Sequence, residues 1–364
     1  MSTQKHSAQK QEYFHFEVLK WNSSVEVIEK ILKSILESGF DVNETDEDQN
    51  TPLHIAAYRG FVDIVQLLLD NGAKIDKQNQ SGCTPLFLAI SKKHEVVAEL
   101  LIRNGARLDV QDKNGYTVLH ACAQYGVKNL AKFLIQNGAD MNAKSWENDR
   151  TPSTPLHVAI SSKSMELAKM LIEHGADLEA KKKIKYGHGP RFATHEIISI
   201  DPLHLAVLEN DITFVELLLE HGADIEGKTF PSNDTPLMTA VLRGSKDIAK
   251  YLIDKGANVN VQSIYKYTPL YIATYRGHKN ILQMLISNGA NINQKCRTYQ
   301  DTPIYLALFL ARMNIVKKLI NNGASLTVRD TDGDTPFEST LRHIDFRRKG
   351  LQSIKYLMYN NMNK

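Results

Sequence analysis

The sequence predicts an all-α fold, a solenoid of about ten helix–turn–helix units with hairpin-like finger loops. A helix-start pattern, Thr-Pro-Leu-His or a close variant, recurs at steps of 33, 33, 37, 47, 34, 33, 34 and 33 residues. It begins at Thr51, Thr84, Thr117, Thr154, Asp201, Thr235, Thr268, Thr302 and Thr335. A second pattern, Gly followed by Ala, recurs at Gly72, Gly105, Gly138, Gly175, Gly222, Gly256, Gly289 and Gly323. Because one unit is too short to bury a core, neighbouring units must stack.

The first regular unit shows why each repeat folds locally. Thr51 can cap a helix by accepting a hydrogen bond from an amide of the first turn, and Pro52 suits the first helical position. Leu53 and Ala56 then place apolar groups on one helical face. Gly72 ends the second helix because glycine readily adopts the left-handed conformation. The residues after it form the finger that leads to the next unit.

The period near 33 and the Thr-Pro-Leu-His-x-Ala signature resemble those of the ankyrin-repeat family. The resemblance covers roughly residues 12–361. It implies a concave groove, formed by the fingers and the exposed face of each first helix, that binds another protein. The fold by itself does not identify that partner, since ankyrin repeats serve many partners.

The repeat pattern also predicts how the chain is divided. Residues 1–11 are polar and are expected to be disordered, and residues 12–44 to form a divergent N-terminal capping repeat. Residues 45–328 contain the ankyrin repeats, with a finger insert at 181–200. Residues 329–364 are expected to form a C-terminal capping repeat and tail, which lacks a closing Gly-Ala.

The composition of the chain limits the classes of function and the cellular locations that we expect. The net charge of +3 on 364 residues does not favour nucleic-acid or membrane binding as a general property. Three widely spaced cysteines predict no disulfide framework and favour a reducing compartment. No signal peptide and no apolar run long enough for a membrane span is evident. We therefore expect a monomer with no membrane span that is located in the cytoplasm, with the nucleus as the alternative location.

The step of 47 residues before Asp201 exceeds the common period by 14 and places an insert within 181–200. Insertions in repeat proteins often lie on the binding face. The basic run at 181–191 resembles a short nuclear-import signal, which favours a nuclear or nucleic-acid-associated role as one alternative. A mobile, solvated loop is the favoured interpretation. It predicts that deleting the insert leaves folding intact.

Four histidines occupy the fourth position of the repeated pattern, at His54, His120, His157 and His204. One per unit is typical of a structural role, in which the ring hydrogen-bonds the backbone within or between repeats. Later units replace this histidine with Met238, Tyr271 and Tyr305. No catalytic triad, zinc motif or nucleotide fingerprint is present. We expect no enzyme activity, cofactor, metal or small-molecule substrate.

The resemblance places groove residues just before each helix-start threonine and seven or eight residues after it. Tyrosine and arginine are enriched at binding hot spots, although each side chain could instead pack between repeats. The cluster Tyr265, Tyr267, Tyr275 and Arg276 favours binding. The predicted partner-binding residues are Tyr58, Arg59, Tyr116, Tyr125, Leu242, Arg243, Tyr265, Tyr267, Tyr275, Arg276, Tyr299 and Phe309.

Two further interpretations stay open. A resident adaptor and a host-directed effector of a pathogen or symbiont would have the same sequence pattern. The resemblance also implies possible substrates of an asparaginyl hydroxylase, because Asn142, Asn260 and Asn293 follow Gly-Ala at the required spacing. The alternative is that each of these asparagines only fixes the finger turn by its own hydrogen bonds.

Overall fold

The structure, a computed structural model, describes residues 24–147, 151–186, 196–296 and 301–343. It divides into two compact units, Met1–Asp177 and Leu178–Lys364. The predicted ankyrin-type helix pairs are confirmed in both units. The predicted disordered residues 1–11, residues 12–23 of the predicted N-terminal capping repeat and the tail from 344 lie outside the described residues.

Within residues 24–147 and 151–177, the first unit shows one helix followed by four helix pairs. The described elements are α1 (Val25–Glu37), α2 (Pro52–Arg59), α3 (Val62–Asp70), α4 (Pro85–Ser91), α5 (Glu95–Arg103), α6 (Val118–Tyr125), α7 (Lys128–Gln136), β1 (Ser145–Glu147), β2 (Thr151–Ser153), α8 (Pro155–Ser161) and α9 (Met165–Glu173).

The second unit begins with a strand pair and continues with helix pairs. The described elements are β3 (Lys182–Tyr186), β4 (Glu196–Ile200), α10 (Pro202–Leu208), α11 (Ile212–Glu220), α12 (Pro236–Arg243), α13 (Lys246–Asp254), α14 (Pro269–Arg276), α15 (Lys279–Ser287), α16 (Pro303–Phe309), α17 (Met313–Asn321) and α18 (Pro336–His343). Among the described residues, no helix has the length and apolar character needed to cross a bilayer.

Helix starts follow the predicted capping chemistry. The hydroxyl of Thr51 accepts from the amide of His54, and Pro52 occupies the first turn. Asp201 caps α10 in the same way, so the change from Thr to Asp preserves the helix start. Gly60 ends α2 at a φ of 77°, in the left-handed region.

Two layers of helices form the core of each unit. In the first unit the first helices α2, α4, α6 and α8 pack in series, as do the second helices α3, α5, α7 and α9. In the second unit the series are α10, α12, α14, α16 and α18, and α11, α13, α15 and α17. Leu53, Leu86 and Leu119 occupy equivalent positions and are fully buried. Stacking therefore supplies the core that one repeat lacks.

Short turns close the finger tips and connect them. The amide of Asp112 donates to the carbonyl of Tyr116 at 3.0 Å, and the amide of Ser263 donates to that of Tyr267 at 3.0 Å. Between fingers, the amide of Lys113 donates to the carbonyl of Ser81 at 3.1 Å. Backbone groups of the finger tips are thus paired within each finger and, at Lys113, with the neighbouring finger.

The prediction that the insert is a mobile loop with little to bury is wrong for its two ends. β3 and β4 pair antiparallel, with Lys182 opposite Ile200 and Lys185 opposite Ile197. Ile200 is 0 % exposed, because alternate residues of β4 face the interior. Ser199 of β4 also exchanges backbone hydrogen bonds of 2.8 and 3.0 Å with Phe230. Residues 187–195 lie outside the described part of the chain.

A second, shorter strand pair accounts for the unit with the 37-residue step. β1 and β2 pair with Ser145 opposite Ser153 and Trp146 opposite Pro152. The side chain of Trp146 lies outside the described side chains. The otherwise helical fold therefore accommodates its two insertions as short antiparallel strand pairs.

Candidate functional site

The repeated histidine links each unit to the next. Nδ1 of His54 accepts from the amide of Thr51 at 3.1 Å, and Nε2 lies 3.0 Å from the carbonyl oxygen of Cys83. Burial lowers the pKa of His54 to about 4, so the ring is neutral and Nε2 donates. His120 and His204 make the same inter-repeat bond, to Ser153 and Asp234. The predicted structural role is confirmed for these three histidines.

In the second unit, two tyrosines at the position of the repeated histidine make the hydrogen bond to the next repeat. The hydroxyl of Tyr271 donates to Oδ2 of Asp301 at 2.9 Å. That of Tyr305 donates to the carbonyl of Val328 at 2.7 Å and also contacts the carbonyl of Asp334. Burial raises the pKa of both phenols well above their usual range. Both tyrosines are therefore neutral structural donors.

The described residues show few features of a catalytic site or a metal site. No three His, Cys, Asp or Glu side chains in this part of the chain gather into a metal-binding group. The three cysteines are buried and form no disulfide. Burial raises the pKa of the Cys83 thiol to about 11 and raises that of Cys122 further. A thiol with a raised pKa is a poor nucleophile at neutral pH.

The predicted partner-binding residues fall into three groups. Tyr58, Arg243 and Phe309 are exposed, Phe309 by 56 %. Half-buried residues are Arg59, Tyr116, Tyr125, Tyr265, Tyr275 and Arg276. Leu242 and Tyr267 are buried, at 8 % and 9 % exposure. Tyr299 lies outside the described residues.

The burial of Tyr267 and Leu242 corrects their prediction as contact residues. The ring of Tyr267 stacks on that of Tyr271 with centroids 5.0 Å apart, between finger and first helix. Tyr116 stacks in the same way on His120, at 5.2 Å. Leu242 lies one residue before the exposed Arg243 at the end of α12, and the helical turn directs it inward.

The remaining exposed and half-buried residues at the ends of first helices form what we term the helix-end row of each unit. Its described members are Tyr58, Arg59 and Tyr125 in the first unit and Arg243, Tyr275, Arg276 and Phe309 in the second. The row is repeated in the two units, because Tyr58-Arg59 ends α2 and Tyr275-Arg276 ends α14 at the same position of the repeat. The nitrogen of Lys92 lies 4.5 Å over the Tyr58 ring.

Sequence reasoning missed a second contact at these helix ends. The guanidinium of Arg312 donates to the carbonyl of Tyr275 at 2.8 Å, across to the preceding repeat. Nε2 of His94 makes the equivalent bond to the carbonyl of Tyr58 at 3.0 Å. Each donor lies immediately before a second helix. A polar side chain at this position of the sequence is the signal from which the contact could have been predicted.

The asparagines of the finger turns also connect neighbouring repeats. Nδ2 of Asn260 donates to the carbonyl of Gly289 at 3.0 Å, and its Oδ1 accepts from the amide of Asn291 at 2.7 Å. Oδ1 of Asn293 accepts from the amide of Ser325, and Oδ1 of Asn142 from that of Asp177. The proposed modification sites are thus engaged in inter-repeat hydrogen bonds.

Comparison with known proteins agrees with this geometry. A family profile described as "Ankyrin repeats (3 copies)" matches residues 22–112, 95–182, 186–263, 203–296 and 260–330. The chain belongs to the ankyrin-repeat family. Ankyrin repeats are protein–protein interaction modules, and this ankyrin-repeat chain has the buried histidines, tyrosines and finger turns that hold such modules together.

Among solved structures, this ankyrin-repeat protein is similar to the crystal structure of the ankyrin repeat domain of Bcl-3, a unique member of the IkappaB protein family. The two share 30 % sequence identity with a TM-score of 0.56. The match covers 66 % of this chain and 99 % of the Bcl-3 domain. No curated protein sequence matches the chain significantly.

Proposed function

We propose that the protein is a non-enzymatic adaptor that binds another protein through its helix-end row and fingers. The observation that carries the proposal is the set of aromatic and arginine side chains offered to solvent at the ends of α12, α14 and α16. Arg243 and Phe309 are exposed there, and Tyr275 and Arg276 are half-buried. Such side chains supply large contact area at low entropic cost.

The second unit is proposed to provide most of the affinity. Its row has Arg243, Tyr275, Arg276 and Phe309 on three successive first helices. Hot spots cluster in this way because surrounding contacts exclude water from the central ones. The free, buried cysteines support a reducing location, which we propose to be the cytoplasm, or also the nucleus.

Site-specific photo-crosslinking tests this assignment. A photoreactive phenylalanine at Phe309 is expected to capture the partner covalently in cell extract. The same residue at Val96, which is even more exposed at 65 % but lies on the second helix α5, is the matched control and should capture little. Equal capture at both positions would contradict binding through the helix-end row.

Exposed lysines favour a second candidate function, a nuclear or nucleic-acid-associated regulator. Lys183 and Lys185 alternate with Ile184 on β3 and are exposed on the same face of the strand. Salt dependence separates the candidates, because affinity that depends on phosphate contacts falls steeply with added salt. Partner binding that survives moderate salt supports the adaptor.

A further inference from the structure

The second unit contains a cleft where three successive helix turns meet. Its cavity has a volume of about 810 Å³. It is lined in part by Ile212, Arg243, Lys246, Asp247, Arg276 and His278. A smaller cavity of about 330 Å³ shares Lys246 and His278 and extends towards Lys279. The helix-end row therefore opens onto a continuous cleft, which we term the basic cleft.

Among the charged side chains that line the basic cleft, cations outnumber carboxylates. Arg243, Lys246 and Arg276 face one carboxylate among the lining residues, that of Asp247. Within the part of the chain that the structure describes, none of these three cations takes part in an ion pair within 4.0 Å. Their charges are thus available to a ligand.

Two arginines of this region have buried nitrogens without hydrogen-bond partners among the described residues. They are Nε of Arg276 and Nε of Arg312. A buried donor left unpaired costs free energy, so both arginines are held without the full set of hydrogen bonds that a guanidinium can make. The guanidinium of Arg312 donates to the carbonyl of Tyr275 in the last turn of α14, one repeat along from the end of α12 at Gly244.

The surroundings of His278 have the same positive character. Burial lowers its pKa, and the charges of Arg276 and Arg312 lower it further. The second helices α13 and α15 begin at this cleft, and neither receives a side-chain cap. The partial positive charge of their first turns adds to that of the side chains.

We infer that the basic cleft binds an acidic segment of the protein partner. Arginine and lysine bind carboxylates by charge-assisted hydrogen bonds, and the arginine fork can bind both carboxylate oxygens. A peptide can alternate carboxylates with apolar side chains, so it can place an apolar side chain on Ile212 and keep its carboxylates away from Asp247. A phosphate backbone carries a charge at every nucleotide and would bring one of these charges close to the Asp247 carboxylate. This inference rests on the proposed function and specifies the chemistry of the partner.

A peptide titration tests the inference. The probe is a fluorescein-labelled peptide of glutamates with one central leucine, and its lysine counterpart is the reference. Fluorescence anisotropy with the full chain should show binding of the glutamate peptide alone. Arg243→Gln combined with Lys246→Gln should weaken it roughly tenfold or more, because two charge-assisted contacts are lost. Arg276→Gln, as a separate variant, should weaken it in the same direction.

The matched control removes two exposed lysines of second helices, which lie outside the helix-end row. Lys132→Gln combined with Lys250→Gln lowers the net charge by the same amount as the test variant and should change the peptide affinity by less than roughly twofold. Equal losses in the two double variants would overturn the inference, as would absence of glutamate-peptide binding. Stronger competition by a single-stranded oligonucleotide than by the peptide would also overturn it, in favour of nucleic acid. Melting curves confirm that each variant is folded.

The captured protein partner separates this inference from the proposed function. If Arg243→Gln with Lys246→Gln leaves partner affinity unchanged, the partner does not use the basic cleft and the adaptor proposal stands. If the peptide binds as expected but crosslinking at Phe309 captures no protein, the adaptor proposal fails instead.

Discussion

Nδ1 of His204 lies 2.8 Å from a carboxylate oxygen of Asp201, whereas Nδ1 of His54 accepts from the amide of Thr51 at 3.1 Å. An ionised carboxylate can only accept, so Nδ1 of His204 faces an acceptor where Nδ1 of His54 faces a donor, and Nε2 of His204 keeps the link to the carbonyl of Asp234. The single change from Thr to Asp therefore brings a buried carboxylate into this link. Lys181 adds a cation, 2.9 Å from Asp201.

Removing this carboxylate is expected to cost more than removing the threonine cap. Asp201→Ala leaves the buried His204 donor without an acceptor and should lower the free energy of unfolding by about 3 kcal/mol. Thr51→Ala should cost about 1 kcal/mol, the usual value for a cap. Denaturant unfolding of both variants makes the comparison. Equal losses would show that the carboxylate has no role beyond capping.

The Asp201 pair also predicts behaviour in acid. Burial raises the pKa of Asp201, but the hydrogen bonds and charge of His204, with the bond from Lys181, outweigh burial and hold the pKa well below its usual value. Its stabilisation is present above the unfolded pKa and is lost as pH falls below about 4. The Asp201→Ala variant should lose less stability than the wild type over that range.

The first unit should become less stable at mildly acidic pH. Burial lowers the pKa of His54 from 6.5 to about 4, so the unfolded chain binds more protons between these values. Stability therefore falls as pH drops through this window, by up to about 3 kcal/mol for this histidine. His54→Tyr, which introduces the side chain found at the equivalent position in Tyr271, should remove part of the dependence. An unchanged pH profile in that variant would contradict the assignment.

Two isoleucines of the same strand test the revised view of the insert. Ile200→Ala should lower the free energy of unfolding by about 3 kcal/mol, because Ile200 is fully buried. Ile197→Ala should cost less than about 1 kcal/mol, because Ile197 is 55 % exposed. The free energies come from chemical denaturation. Similar small costs would restore the original prediction of a dispensable loop.

Much of the fold could be predicted because the determining signals are local and repeated. Thr51, Pro52 and Gly72 each act within a few residues, so period and chemistry together identify the helix pairs. The strand pairing of the insert depends on residues 182–186 meeting 196–200, and a basic, glycine-containing sequence gave no clear alternation.

The candidate site was predicted less completely than the fold. Position in the repeat identified Arg243, Tyr275 and Phe309 as surface residues. It did not distinguish them from Tyr267, whose burial depends on stacking with Tyr271 from the adjoining helix. Lys246 and Arg312 were missed because their significance depends on the approach of neighbouring helix turns, which is a tertiary relationship.

The finger asparagines yield a prediction that separates structure from modification. Asn260→Ala should cost about 1–2 kcal/mol of stability, because it removes two inter-repeat hydrogen bonds. Because these bonds hold the side chains of Asn142, Asn260 and Asn293, the folded chain should gain no oxygen on incubation with an asparaginyl hydroxylase. Intact-mass measurement checks this. An added oxygen at any of the three would establish the modification.

The most direct test of partner binding through the second unit starts from the partner that crosslinking identifies. That partner is purified separately and titrated against two double variants of this chain. Tyr275→Ala with Arg276→Ala alters the row at the end of α14, and Tyr58→Ala with Arg59→Ala alters the same repeat positions at the end of α2. Binding through the second unit predicts a loss of at least about tenfold in the first variant, as expected for hot-spot side chains, and a much smaller loss in the second. Circular dichroism verifies that both are folded. Equal and small losses from the two variants would contradict the proposal.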